Sequence, residues 1–168
     1  MTQIRPATPD DAPQIARLLN PILRDTTISF TSIEKTDQDI ATSITEHLDQ
    51  DLPFLVAHNG EHIQGVASYA PFRKGPGYAR TMEHTVYVDS DCFGKGIGKL
   101  LMAALEAHAH LSGITTLIGG ISAENTAGIS FHARLGFVLT GHLPAVGHKF
   151  GRDLDLILMQ KSLVTGDT

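Results

Sequence analysis

A six-residue run in the middle of the chain, Gly94-Lys95-Gly96-Ile97-Gly98-Lys99, has the composition of an anion cradle. Glycines let a backbone turn tightly and bring its N–H groups close to a ligand. The run follows the apolar, β-branched segment Val86-Tyr87-Val88 and leads into residues at helical spacing, so it opens a helix. A helix start adds unpaired N–H donors and partial positive charge. Lys95 and Lys99 add formal charge. The chemistry predicted here is the grip of a pyrophosphate. Two nucleotide motifs fail on spacing. A P-loop needs Ser or Thr after its Gly-Lys pair, and Lys99 precedes Leu100. In a dinucleotide fingerprint the third glycine comes one residue later than Gly98, and an acidic residue ends the next strand. By itself the run fits a flexible loop before a helix equally well. Cys92, beside it, reads as a small loop residue and not as a reactive thiol.

The elements that must hold this run can be placed from periodicity. Ile4 to Ala7 is a short strand, and Thr8 offers a helix cap. Ile15, Leu18, Leu19 and Ile22 recur at helical spacing, as do Ile40, Ile44 and Leu48. Thr26 to Phe30, between these helices, is non-helical. Phe54 to Ala57 and Ile63 to Tyr69 are strands joined by the hairpin signal Asn59-Gly60. Glu83 to Val88 is a strand. After the glycines, Ile97, Leu100, Leu101, Ala104, Leu105 and His108 define one helical face. Thr116 to Ile121 is a strand and Asn125 to Leu135 a helix, ended by Gly136 as a left-handed cap. Phe137 to Leu139 and Leu154 to Met159 close the chain as strands. The order β-α-α-β-β-β-α-β-α-β-β predicts an α/β (mixed α+β) fold. Hairpins first and crossovers later imply a mixed sheet with helices on both faces.

Composition narrows the possible functions. The 168 residues suit one domain, 1–168, with a substantial core. A net charge of −5 argues against nucleic acid as a partner. The single cysteine excludes an internal disulfide and fits a reducing, cytoplasmic setting. No signal peptide and no membrane-spanning run is expected.

Taken together, several segments resemble the GNAT superfamily of N-acetyltransferases. These are Glu83-His84-Thr85-Val86-Tyr87-Val88, Gly94 to Gly98, Ala123-Glu124-Asn125-Thr126-Ala127, His132 to Phe137, and Val146 to Arg152. Within it the chain is similar to the phosphinothricin and methionine sulfone/sulfoximine N-acetyltransferases. The resemblance implies a mostly antiparallel sheet of about seven strands, splayed in its middle. It implies acetyl-CoA as co-substrate, a small-molecule amine as partner, a homodimer and no metal. The backbone of Val86, Tyr87 and Val88 would hold the pantetheine arm. The N–H groups of Gly94, Lys95, Gly96, Ile97, Gly98 and Lys99 would hold the pyrophosphate. Asn125 would contribute its side chain to the cofactor, or cap its helix. Glu83 would be the general base, because only a deprotonated amine attacks a thioester. His132 stands where many relatives carry a tyrosine that protonates the departing thiolate; a histidine satisfied within its helix is the alternative. Phe30, Arg73, His84 and Thr85 would contact substrate, with Arg73 taking an α-carboxylate. His84 alternates to the opposite face from Glu83 and would support the sheet or line the channel. Lys149, Phe150 and Arg152 would close the site or form a dimer contact.

Three departures bear on this. Phe93 occupies the Gln/Arg position of the superfamily's glycine motif. Pro71-Phe72-Arg73 replaces a common Asp-Trp-Arg run, and Asp153 replaces a Trp. The expected reaction is direct acetyl transfer to the α-amine of a small amino-acid analogue. A polyamine, an aminoglycoside or a protein N-terminus is the alternative amine, and an acyl-CoA-binding sensor the non-catalytic alternative.

Overall fold

The computed structural model describes residues 1–164. The elements follow the order read from periodicity: β1 (Gln3–Pro6), α1 (Ala12–Asp25), α2 (Asp37–Asp49), β2 (Phe54–Asn59), β3 (His62–Pro71), β4 (Thr81–Val88), α3 (Ile97–Leu111), β5 (Thr116–Ser122), α4 (Thr126–Arg134), β6 (Val138–Lys149) and β7 (Arg152–Ser162). They build one seven-stranded sheet in the order β1-β2-β3-β4-β5-β7-β6. Every neighbouring pair is antiparallel except β4–β5.

Strand alternation divides the core in two. Leu55, Ala57, Ala67, Tyr69 and Met82 turn to one face and pack with Ile97, Leu101, Met102 and Leu105 of α3. Val56, Ile63 and Val66 turn to the other and pack with Ile15 and Leu18 of α1 and Ile40 and Ile44 of α2. Each fully buried Leu or Ile stabilises the fold by about 1.5–3 kcal/mol. The helices therefore lie on both faces.

The α3 face differs from expectation at Leu100, Met102 and Ala109. Leu100 is exposed and Met102 is buried, because the buried stripe follows 97, 101, 105 and 109 with 102 beside it. The C-terminal hairpin is also longer than its periodicity indicated. Its first strand extends to Lys149 across Gly141, Pro144 and Gly147, with register shifts at Leu139/Gly141 and Leu143/Gly147. Such bulges break the two-residue period that identifies a strand.

Candidate active site

The sheet opens beside the glycine run. β4 pairs with β5 only from Thr81 to His84, ending at His84 opposite Gly119. Beyond that point β4 stays on β3 as far as Val88, and β5 stays on β7 as far as Ser122. The edge of Thr85 to Val88 that faces β5 has no strand partner among the described residues, so the two strands part there and its main-chain groups are left unpaired. Buried main-chain polar groups need partners, and an extended amide-bearing chain would supply them.

Two imidazoles fill the apex of the split. The rings of His84 and His132 lie 5.1 Å apart, both next to Phe137. Gly119 makes room for them: a Cβ there would lie 3.0 Å from His84 Cε1 and 3.5 Å from His132 Nε2. The hydrogen bonds settle the tautomers. His132 Nδ1 donates to the carbonyl oxygen of Gly128 at 2.7 Å. Its bare Nε2 then accepts from His84 Nε2–H at 2.9 Å. That leaves His84 Nδ1 bare and buried, with no geometric hydrogen bond among the described residues. Burial, and secondarily His132, lowers the His84 pKa to about 3, and burial also lowers that of His132. The pair is neutral. The resting geometry of His132 is that of a histidine satisfied within its helix, since its one proton is held by Gly128.

This pair makes stability depend on pH. In the unfolded chain a histidine takes a proton near pH 6.5, whereas His84 in the fold resists until about 3. The unfolded state therefore binds more protons between those values. Stability is full above about pH 6.5 and falls as the pH drops toward 3, with a loss of ~2 kcal/mol from His84 by pH 5. Urea midpoints at pH 7 and pH 5 check this. His84→Gln keeps a donor for His132 but does not titrate, so its midpoint is expected to fall less than the native one. An equal fall removes His84 as the source.

Glu83 lies on the opposite face, with Thr85 and Tyr87. Its Oε1 would lie 3.4 Å from a Cβ placed on Gly120. Solvent reaches the carboxylate, yet the surrounding protein desolvates it enough to raise its pKa, with no cation to offset the effect. A carboxylate with a raised pKa is a better proton acceptor for an amine. Thr85 Oγ1 sits 3.2 Å from Ser68 Oγ on the same face. The structure thus brings Glu83 and Thr85 together and keeps His84 and His132 behind the sheet. Periodicity anticipated the separation of Glu83 from His84, but nothing in the sequence paired the two histidines. The signal missed was Gly119-Gly120 inside a strand, since glycine there marks close approach of another group.

At the far end of the split, Gly94 (φ 75°) and Gly96 (φ 80°) are left-handed, and a Cβ on either would meet open space. Gly96 is the N-cap of α3, so the N–H groups of Ile97, Gly98 and Lys99 have no carbonyl within their helix. Lys95 and Lys99 are exposed beside them. These donors, the open space and the unpaired edge of β4 fit a pyrophosphate followed by an amide-bearing arm. The Phe93 side chain is 62% exposed. Asn125 caps α4 by accepting from the Gly128 N–H at 2.9 Å; its NH₂ group is left as a donor, so the cap does not displace the expected cofactor contact.

The remaining predicted residues fall on two loops and a hairpin. Arg73 is exposed just past β3, with its guanidinium 5.2 Å from the Phe72 ring centroid, and no carboxylate pairs with it among the described residues. Phe30, in the α1–α2 loop, packs against Gly147 of β6, where a Cβ would overlap its ring. Lys149 is 3% exposed, with Nζ directed at the carbonyls around Phe30. Burial lowers its pKa. Phe150 is exposed at the β6–β7 turn, and Arg152 makes a bidentate ion pair with Glu124 at 2.6 and 2.8 Å.

Known proteins share this architecture. Residues 4–158 match the family described as "Acetyltransferase (GNAT) domain". A phosphinothricin N-acetyltransferase of Alcaligenes faecalis is 35% identical over 98% of this chain and 84% of its own length. An L-methionine sulfoximine/L-methionine sulfone acetyltransferase of Pseudomonas aeruginosa is 38% identical over 95% of this chain and 94% of its own. An acetyltransferase of Salmonella typhimurium, solved with its cofactor acetyl-CoA, superposes with a TM-score of 0.93 at 31% identity, over 99% of this chain and 96% of that one. The split sheet, the glycine cradle at the start of α3 and these full-length likenesses agree: the chain belongs to the GNAT acetyltransferase family and transfers an acetyl group from acetyl-CoA to an amine.

Proposed function

We propose that the acceptor is the α-amine of a small amino-acid analogue of the phosphinothricin or methionine sulfoximine/sulfone type, acetylated by direct transfer. The observation that carries this is Glu83: a carboxylate with a raised pKa, at the last paired residues of β4, on the face toward α1 and α2. Acetyl-CoA supplies the activated thioester: the amine nitrogen bonds to the acetyl carbon, the C–S bond breaks, and CoA leaves as the thiolate and takes its proton from solvent. Glu83 accepts the proton of the incoming ammonium, so the free amine is generated in place. Main-chain N–H groups of the unpaired β4 edge, Val86 to Val88, polarise the thioester carbonyl and hold the charge that develops on its oxygen. Arg73, which no carboxylate pairs with among the described residues, takes the α-carboxylate in a bidentate contact. Phe30 gives the side-chain pocket an apolar wall. We assign no proton donation to resting His132, whose Nδ1 proton is committed to Gly128.

Val138, Leu139, Val146 and Phe150, all 55–60% exposed along the edge hairpin, support a homodimer through that edge; a monomeric sedimentation profile overturns this part. Cys92, a buried free thiol, suits a reducing cytoplasmic setting. Among the described residues no helix is long and apolar enough to cross a membrane.

The test is thiol release from acetyl-CoA with a panel of amines. Phosphinothricin, methionine sulfoximine and methionine sulfone are expected to give the highest kcat/KM, above free amino acids, polyamines, aminoglycosides and N-terminal peptides. A polyamine or peptide at the top of the panel refutes the substrate assignment. Acetyl-CoA binding with no turnover of any amine leaves only a sensor.

A further inference from the structure

Lys149 is the most thoroughly enclosed cation in the described molecule, and no step of the transfer uses it. Its Nζ lies 2.6 Å from the carbonyl oxygen of Leu23, 2.6 Å from that of Thr26, 2.8 Å from that of Ser29 and 2.9 Å from that of Thr31. An ammonium has three N–H donors, so four carbonyls saturate it. Two features of the chain explain why a cation belongs here. Leu23 lies in the last turn of α1, where carbonyls lack helical partners and the helix dipole favours positive charge. After Asp25 the chain leaves the helix and runs irregularly to α2, so Thr26, Ser29 and Thr31 have no sheet to satisfy them. One buried side chain from β6, more than a hundred residues away, gathers all four. Among the described residues no carboxylate pairs with it inside the cage; Asp25 acts on it only at a distance.

The placement of these carbonyls carries the functional consequence. Ser29 and Thr31 flank Phe30, so both neighbours of that ring are tied to one Nζ. Two residues before Lys149 on the same strand, Gly147 receives the face of the Phe30 ring because it has no side chain. Gly147 and Lys149 project to the same side of β6, one as the seat of the ring and the other as the clamp on its backbone. Tyr87, on the Glu83 face of β4, is half-buried beside Ser29. The clamped loop therefore roofs the face on which the amine must approach Glu83.

We propose that Lys149 is a positioning residue for the acceptor pocket: its four-carbonyl cage fixes the α1–α2 loop and thereby the Phe30 wall, setting affinity for the amine and not for acetyl-CoA. This rests on the acceptor reading above. It does not require Lys149 to touch any substrate. Acetyl-CoA would be held by the main-chain edge of β4 and the start of α3, whereas β4 approaches the cage through the Tyr87 side chain beside Ser29.

The experiment compares the native chain with Lys149→Met, which keeps the stem of the side chain and removes its charge and donors. KM for the preferred amine is expected to rise about tenfold or more, with KM for acetyl-CoA and kcat within about twofold. Amide hydrogen exchange is expected to quicken across residues 26–31 and to stay native in α3. If Lys149→Met does not fold, Lys149→Arg, which retains a buried cation of the wrong shape for a four-carbonyl cage, is expected to show the same split. Unchanged amine KM with unchanged exchange in 26–31 overturns the proposal, as does a parallel loss toward both substrates. Should the native chain acetylate no amine, the acceptor reading fails on that result alone, and native-like exchange in Lys149→Met would still overturn the cage.

Discussion

Glu83→Gln is expected to lower kcat/KM for the amine by ~10²–10⁴ at neutral pH, the contribution of a positioned general base. Gln matches Glu in size and keeps an acceptor oxygen beside Gly120, so packing and acetyl-CoA binding should be unchanged. What is lost is the capacity to take a proton from an ammonium. The pH profile separates this from a steric effect. A base works when deprotonated, so the native kcat/KM should rise with pH through the Glu83 pKa. Desolvation places that rise above the usual carboxylate range. In Glu83→Gln this limb should vanish, and the residual rate should follow only the free-amine fraction of the substrate. A variant that kept the native rate and the native limb would remove Glu83 as the base. Steady-state rates of thiol release across pH 5–9 supply the data.

Gly96→Val should damage the other half of the site. At φ 80° Gly96 is in the left-handed region, which a β-branched residue enters only as a strained outlier. The space around it is open, so the damage comes from backbone preference and not from a clash. Relieving about 2 kcal/mol of strain would turn the first N–H groups of α3 away from the cradle. KM for acetyl-CoA is expected to rise ~30-fold, the equivalent of that energy, with KM for the amine little changed. Gly96→Asn is the control, because asparagine tolerates the left-handed region; it should cost only a few-fold. Calorimetric titration of acetyl-CoA into both variants decides the point. Equal affinities for Val and Asn at this position would show that the backbone conformation of Gly96 does not govern the cradle. Together with Lys149→Met, the two variants partition the protein: one at the proton transfer, one at the cofactor end and one at the acceptor wall.

Much of this was legible in the order of residues. Apolar spacing identified α1 to α4, because a helix must turn one stripe toward a core. The alternation in Glu83-His84-Thr85 put the carboxylate and the imidazole on opposite faces, because successive side chains of a strand point apart. The glycine run told of a helix start and tight turns, since that information lies within consecutive residues. Other things could not be read that way. The split after His84 depends on β5 choosing β7 over β4, a choice among strands far apart in sequence. The His84–His132 pair depends on a missing side chain at Gly119 and on a helix carrying His132 over the apex. From the sequence, Lys149 reads as a residue near the last hairpin that closes the site or forms a dimer contact. Only the fold brings it under the end of α1, where four carbonyls with no other donor make a buried ammonium stable. The sequence by itself determined the elements, their faces and the anion cradle, because these follow from local periodicity and backbone preference. The tertiary structure alone decided which strands part, which histidines meet and what holds Phe30 in place, because those follow from hydrogen bonds that must be satisfied between segments distant along the chain.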